Sequence, residues 1–103
     1  MYYVYILTSL KDKNFYIGFT TNLKLRIGQH KNGEVESTKK RLPVKLVYYE
    51  CYSLKADAER NEKYYKTTKG RNDLRKKLRN ILERYKTQPR TQKVFWAGQA
   101  VAQ

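Results

Sequence analysis

The sequence predicts an α/β fold, a small three-stranded, mostly antiparallel sheet flanked by helices in the order β-β-α-β-α-α. Three observations predict it. Two alternating apolar runs flank a short polar stretch, a third run follows Pro43, and helical periodicity fills the intervals between and after them.

Tyr2 to Thr8 alternates tyrosine, valine, isoleucine and leucine, and Phe15 to Phe19 is again strand-like. The intervening Ser9-Leu10-Lys11-Asp12-Lys13-Asn14 makes the pair a β-hairpin. A turn centred between Leu10 and Lys11 would pair residues whose numbers total about 21, with Tyr5 opposite Tyr16. Alternation places Val4, Ile6, Phe15, Ile17 and Phe19 on a core face and Tyr3, Tyr5, Tyr16 and Gly18 on the other. Gly18, without a side chain, would leave room beside the two phenols for a substrate backbone.

Thr20, Thr21 and Asn22 are N-cap types, Leu23 and Ile27 share a helical face, and Asn32-Gly33 is a stop signal, which gives a first helix of about three turns. Residues 34–43 read as a basic loop, and Val44 to Tyr52 as a third strand. Ser53 can cap a second helix through Thr68, with Gly70 as its breaker. A third helix from Asn72 or Asp73 carries Leu74, Leu78, Ile81, Leu82 and Tyr85 on one face and mostly lysine and arginine on the other. One domain over residues 1–85 and a tail over 86–103, with Phe95 and Trp96 as possible docking residues, complete the reading.

With 103 residues, one modest core and one site are expected. The formal charge of +14 calls for a polyanionic partner. Residues 1–62 hold 11 bases and 7 acids, whereas 63–93 hold 12 bases and 2 acids, so the basic surface is concentrated late in the chain. No apolar run is long enough for a membrane anchor and no export signal stands at the N-terminus, so a nucleic acid in the cytoplasm is the expected setting. One cysteine and one histidine exclude an internal disulfide and a cysteine/histidine zinc cluster, and Cys51 reads as a small buried strand residue.

Arg26 and His30 lie four apart on one helical face, where a guanidinium can meet phosphate and an imidazole can move a proton. A solvated helix face explains them equally well. Ala58, Glu62 and Tyr65 share a stripe, so Glu62 needs a partner, either Lys66 four residues on or a bound divalent cation.

Val4-Tyr5-Ile6, Tyr16-Ile17-Gly18, Arg26 with His30, and Glu62 within Ala58 to Lys66 together resemble the GIY-YIG nuclease superfamily. Within it the chain looks like the small stand-alone branch related to the nuclease domain of the bacterial excision-repair incision subunit, a match that Arg41 to Glu50 strengthens. The resemblance spans about residues 2 to 82. It implies DNA phosphodiester hydrolysis, with DNA repair among the expected roles, and one Mg2+ or Mn2+ held by Glu62 in a site lined by Tyr5, Tyr16 and Arg26. Two positions depart from the pattern: Tyr3 replaces the glycine of the first motif, and Phe19 follows Gly18 where some relatives place lysine.

In the expected chemistry Arg26 stabilises transition-state charge, and a tyrosine or His30 activates water. A tyrosine base lowered from about 10 to about 8 needs roughly 2.7 kcal/mol of phenolate stabilisation and predicts an alkaline optimum. An unperturbed histidine predicts a plateau from near neutrality. Lys39, Lys40 and Arg41 in the loop and Arg75, Lys76, Lys77, Arg79 and Arg84 on the third helix are the expected phosphate contacts. The rivals are a non-catalytic nucleic-acid-binding module and a subunit completed by a protein partner.

Overall fold

The computed structural model describes residues 1–87. Strands β1 (Tyr2–Ser9), β2 (Phe15–Thr20) and β3 (Val44–Tyr52) form one antiparallel sheet of order β2-β1-β3. Helix α1 (Leu23–Lys31) joins β2 to β3, and α2 (Lys55–Tyr65), α3 (Thr68–Lys77) and α4 (Arg79–Thr87) follow. The predicted fold class and element order hold, with the last predicted helix divided in two. Of the tail expected over 86–103, residues 86 and 87 belong to α4, and the remainder from 88, including Phe95 and Trp96, lies outside the described residues.

The hairpin register is two positions from the expected one: Tyr5 pairs with Gly18, and Tyr16 with Leu7. The turn is wider because its polar side chains capture its backbone. Ser9 Oγ accepts from the amides of Lys11 and Asp12, each at 3.1 Å, and Asp12 Oδ1 accepts from that of Asn14 at 2.9 Å. Lys13 closes the turn at φ 63°, the left-handed region. A slip of two preserves the strand's period of two, so each side chain keeps its predicted face.

Val4, Ile6, Phe15 and Ile17 pack with Ala58, Tyr65, Leu74 and Leu78 in the larger core, beneath α2 and α3. The tyrosine face is covered as well: Tyr5, Leu7 and Val44 pack with Leu23 and Ile27 of α1. The sheet therefore lies between two helical layers.

Asn22 caps α1 by accepting from the Leu25 amide at 3.1 Å, and Gly33 at φ 74° turns the chain out of it, as the sequence signals predict. The cap of α2 is Leu54, without a side-chain bond, in place of Ser53. Gly70 is also reassigned: it sits inside α3, capped by Thr67, where a Cβ would stand 2.0 Å from the Tyr64 carbonyl oxygen. It is there because the helices touch; the break between α2 and α3 falls at Lys66 and Thr67, and Leu78 makes a further one between α3 and α4. Cys51 is exposed on β3, an edge strand, which corrects its reading as a buried residue.

Candidate active site

Tyr5 on β1, Tyr16 on β2 and His30 on α1 form an aromatic cluster. Ring centroids lie 6.3 Å apart for Tyr5–Tyr16, 5.5 Å for Tyr5–His30 and 5.1 Å for Tyr16–His30. The two tyrosines meet diagonally because β1 and β2 are offset from the expected register. Gly18 serves this cluster and is not open to substrate: a Cβ there would stand 2.2 Å from Tyr5 Cζ. The glycine lets the Tyr5 ring lie across β2, and that ring takes the room the sequence reading reserved for a ligand.

Tyr5 and His30 are both 0 % exposed. The Tyr5 hydroxyl meets His30 Nε2 at 2.8 Å, and His30 Nδ1 meets Thr38 Oγ1 at 2.8 Å, with Thr38 also 0 % exposed. Both ring nitrogens are thus engaged inside the protein. Burial, helped by the nearby Arg26 cation, pushes the His30 pKa down to about 4, so the imidazole is neutral near pH 7. This geometry counts against His30 as the group that meets water. Thr38 was invisible to sequence reasoning, being one polar residue in a polar loop. Its burial comes from the loop folding over α1, with Val35 also buried.

Arg26, one turn before His30, is partly exposed, and its Nη1 donates to Gln29 Oε1 at 3.2 Å. The Tyr5 hydroxyl, with Tyr16 behind it, favours the charged guanidinium and raises its pKa. Burial carries the Tyr5 phenol up to about 12. Arg26 opposes that rise, while Tyr16 and the Glu62 carboxylate add to it. Tyr5 is therefore a protonated hydrogen-bonding group, whereas Tyr16 is partly exposed.

Glu62 projects from α2 with its side chain 21 % exposed, and its Oε2 takes Lys66 Nζ at 2.9 Å. The ion pair expected from spacing is present in the same residue whose charge acts on Tyr5. Among the described residues no three His, Cys, Asp or Glu side chains gather as a closed metal cage. A single carboxylate fits a hard cation such as Mg2+ or Mn2+, which normally keeps several waters and takes its other ligands from substrate phosphate. Glu62 could hold such an ion by exchanging Lys66 for it.

The candidate phosphate contacts divide by environment. Arg75, Lys76, Lys77, Arg79 and Arg84 are all exposed. Arg75 lies 5.1 Å over the Phe15 ring and Lys77 5.1 Å over Tyr48, which orients both heads. Lys39 pairs with Glu36 at 3.2 Å, and the Lys40 carbonyl accepts from Lys11 Nζ at 3.0 Å. Arg41 is different: its guanidinium grips Asp12 through two nitrogens, at 2.7 and 3.2 Å, and donates to the carbonyls of Asn14 and Phe15. It holds the hairpin turn to the loop, so its guanidinium is engaged within the fold.

A carboxylate the sequence reading passed over stands beneath α2. Glu50 accepts from Tyr48 at 2.7 Å and from the hydroxyls of Tyr52 and Tyr65. These three donors outweigh the burial that would raise its pKa and hold it below the usual glutamate value. A satisfied carboxylate in a core ring of tyrosines is an anchor for β3 and α2.

Comparison with known proteins gives the same family as the motifs. The sequence profile of the GIY-YIG catalytic domain matches residues 1–78. A UPF0213 protein of Staphylococcus haemolyticus is 43 % identical over 84 residues, which cover 81 % of this chain and 96 % of that protein. One from Bacillus licheniformis is 40 % identical over 75 residues, 72 % of this chain and 76 % of its own. The solution NMR structure of a UPF0213 protein from Bacillus halodurans is 31 % identical, with a TM-score of 0.50 over 89 % of this chain and 100 % of that one. The chain belongs to the GIY-YIG catalytic-domain family and, within it, groups with the UPF0213 proteins.

Proposed function

We propose that the protein is a divalent-metal-dependent endonuclease that hydrolyses DNA phosphodiester bonds, acting in the cytoplasm. The observation that carries this reading is the convergence of Tyr5, Tyr16, Arg26 and Glu62, from four different elements, on one electrostatically linked cluster. The excess of basic charge suits a polyanionic substrate.

In this reading Glu62 holds one Mg2+ or Mn2+, which when bound supplies Lewis acidity toward the phosphate. Arg26 presents its guanidinium to the charge that develops on the phosphoryl oxygens. Tyr16, the partly exposed phenol, takes the proton of the attacking water. Tyr5 and His30 act together as positioning residues. Neutral His30, fixed by Thr38, holds the Tyr5 hydroxyl, and Tyr5 in turn steers Arg26. The contacts of Arg75, Lys76, Lys77, Arg79 and Arg84 grip the DNA backbone and carry no sequence information.

The test is cleavage of labelled DNA with Mg2+ or Mn2+ by the native protein and by Glu62→Gln, which keeps the size of the side chain and removes its charge. Binding without cutting on every DNA structure would move the assignment to a non-catalytic or partner-dependent DNA-binding module.

A further inference from the structure

On the flank of α1 away from the catalytic cluster lies a hollow of about 610 Å³, between that helix and β3. Its size falls within the roughly 300–1,000 Å³ of ordinary small-molecule sites. Tyr3 and Tyr49 form one wall, their rings 6.1 Å apart and tilted by 58°. Tyr49 is 51 % exposed, among the most exposed large side chains described, although it sits opposite fully buried Tyr5 on the same sheet face. Lys24 and Lys31, both exposed, stand on the helix side.

The helix wall between the lysines is Gly28. Glycine inside a helix costs about 0.5–1 kcal/mol relative to alanine, a cost that close packing often explains. Gly28 has none within the fold: a Cβ built on it meets nothing within 4 Å, in contrast to Gly18 and Gly70. The fold thus leaves bare a helix surface that faces an exposed aromatic pair and two cations.

We propose that this hollow is a stacking subsite for an unpaired nucleobase of the DNA strand being cut. Tyr49 is its platform, Gly28 gives the base room, and Lys24 and Lys31 hold the flanking phosphates. Aromatic faces bind bases of any identity, and lysines beside them track the backbone, the combination that single-stranded DNA requires and continuous duplex cannot use. The subsite and the catalytic cluster lie on opposite flanks of α1, a helix about 10 Å across. An unpaired strand, whose nucleotides can each span more than the about 3.4 Å they take in duplex, crosses that width in a few nucleotides. The preferred substrate is then DNA with unpaired bases close to the scissile phosphate, such as single strands, flaps or frayed branches. This deepens the nuclease reading and rests on it for the link between subsite and cleavage.

The test is binding in the absence of divalent cation, by fluorescence anisotropy, using the full chain and two labelled probes of equal length. One is a thymidine oligonucleotide and the other the same backbone made wholly of abasic residues. The native protein should bind the thymidine probe about tenfold more tightly than the abasic one. Tyr49→Phe should keep that ratio. Tyr49→Ala and Gly28→Leu, the second filling the hollow from a helical position without touching the cluster, should bind both probes alike, at the abasic affinity. Equal binding of the two probes by the native protein would overturn the proposal, and so would an unchanged ratio in both Tyr49→Ala and Gly28→Leu. Self-association of the native protein that Tyr49→Ala abolishes, seen by sedimentation, would assign the hollow to a second copy and also overturn it. An inactive protein that still distinguishes the probes would remove the nuclease reading and leave the subsite. An active nuclease that does not would do the reverse.

Discussion

Acidification should unfold this protein first through its single histidine. His30 has a pKa of about 4 in the folded chain against 6.5 as an ordinary histidine, because protonation would put a charge into a fully buried site beside Arg26. Between those values the unfolded chain binds a proton that the folded chain refuses, so stability is full above 6.5 and falls with pH down to about 4. At about 1.4 kcal/mol per pH unit the whole window amounts to about 3 kcal/mol, most of it lost between about pH 7 and about pH 4.5. The lowered carboxylates act below this range: the stability from Glu50 is present above 4.5 and that from Asp12 above 3.8, each lost as pH falls through its lowered folded value. Urea unfolding across the window should show the native protein losing this stability while His30→Gln stays nearly level. With one histidine in the sequence, its ring resonances also report directly by NMR and should hold the neutral pattern down to about pH 5. A His30 ring that titrates near 6.5, or a His30→Gln variant with the native pH slope, would refute the enclosed, neutral imidazole on which the positioning role depends.

Four further outcomes follow from the same geometry. Gly18→Ala should cost about 1–3 kcal/mol in urea unfolding and impair activity, because the new Cβ forces the buried Tyr5 ring out of place. Glu50→Gln, left with one carbonyl oxygen for three phenols, should cost about 1–3 kcal/mol while cleavage by the protein that remains folded is little changed. Arg41→Ala should lower thermal stability without changing the salt dependence of DNA binding. Joint replacement of Lys76, Lys77 and Arg79 by alanine should flatten that dependence, and equal slopes in the two variants would contradict the division drawn between them. With Tyr16 as the base, the pH profile of cleavage should collapse in Tyr16→Phe, which should lose nearly all of the native rate. A profile already flat from just above pH 4 would return the role to His30.

The period of two in the strands carried the faces of the sheet correctly even though the register was misjudged, because a slip of two residues leaves every side chain on its side. Register depended on the turn, where the Ser9 hydroxyl and the Asp12 carboxylate captured the amides that a tighter hairpin would have paired. Helical spacing put Arg26 and His30 on one face, but depth is a tertiary property. The loop that buries His30 does so through Thr38 and Val35, which carry no sequence signal for it. Two glycines were misread for a related reason: Gly18 and Gly70 mark close contacts with Tyr5 and with the Tyr64 carbonyl, partners that only the folded chain brings near. Glu50 could have been found, since Tyr48, Glu50 and Tyr52 share one strand parity, and a carboxylate between two phenols on one face is a hydrogen-bonding pattern.

The most direct measurement of the central claim is cleavage of single-stranded, duplex, flap and branched DNA by the native chain and by Glu62→Gln, purified identically, with Mg2+, with Mn2+ and with chelator. Cutting should need the cation, be greatest where bases are unpaired, and fall by at least about a hundredfold in Glu62→Gln, since losing even an outer-shell partner of a metal costs about 10–100-fold. Cutting that persists in Glu62→Gln, or in chelator, would contradict the claim.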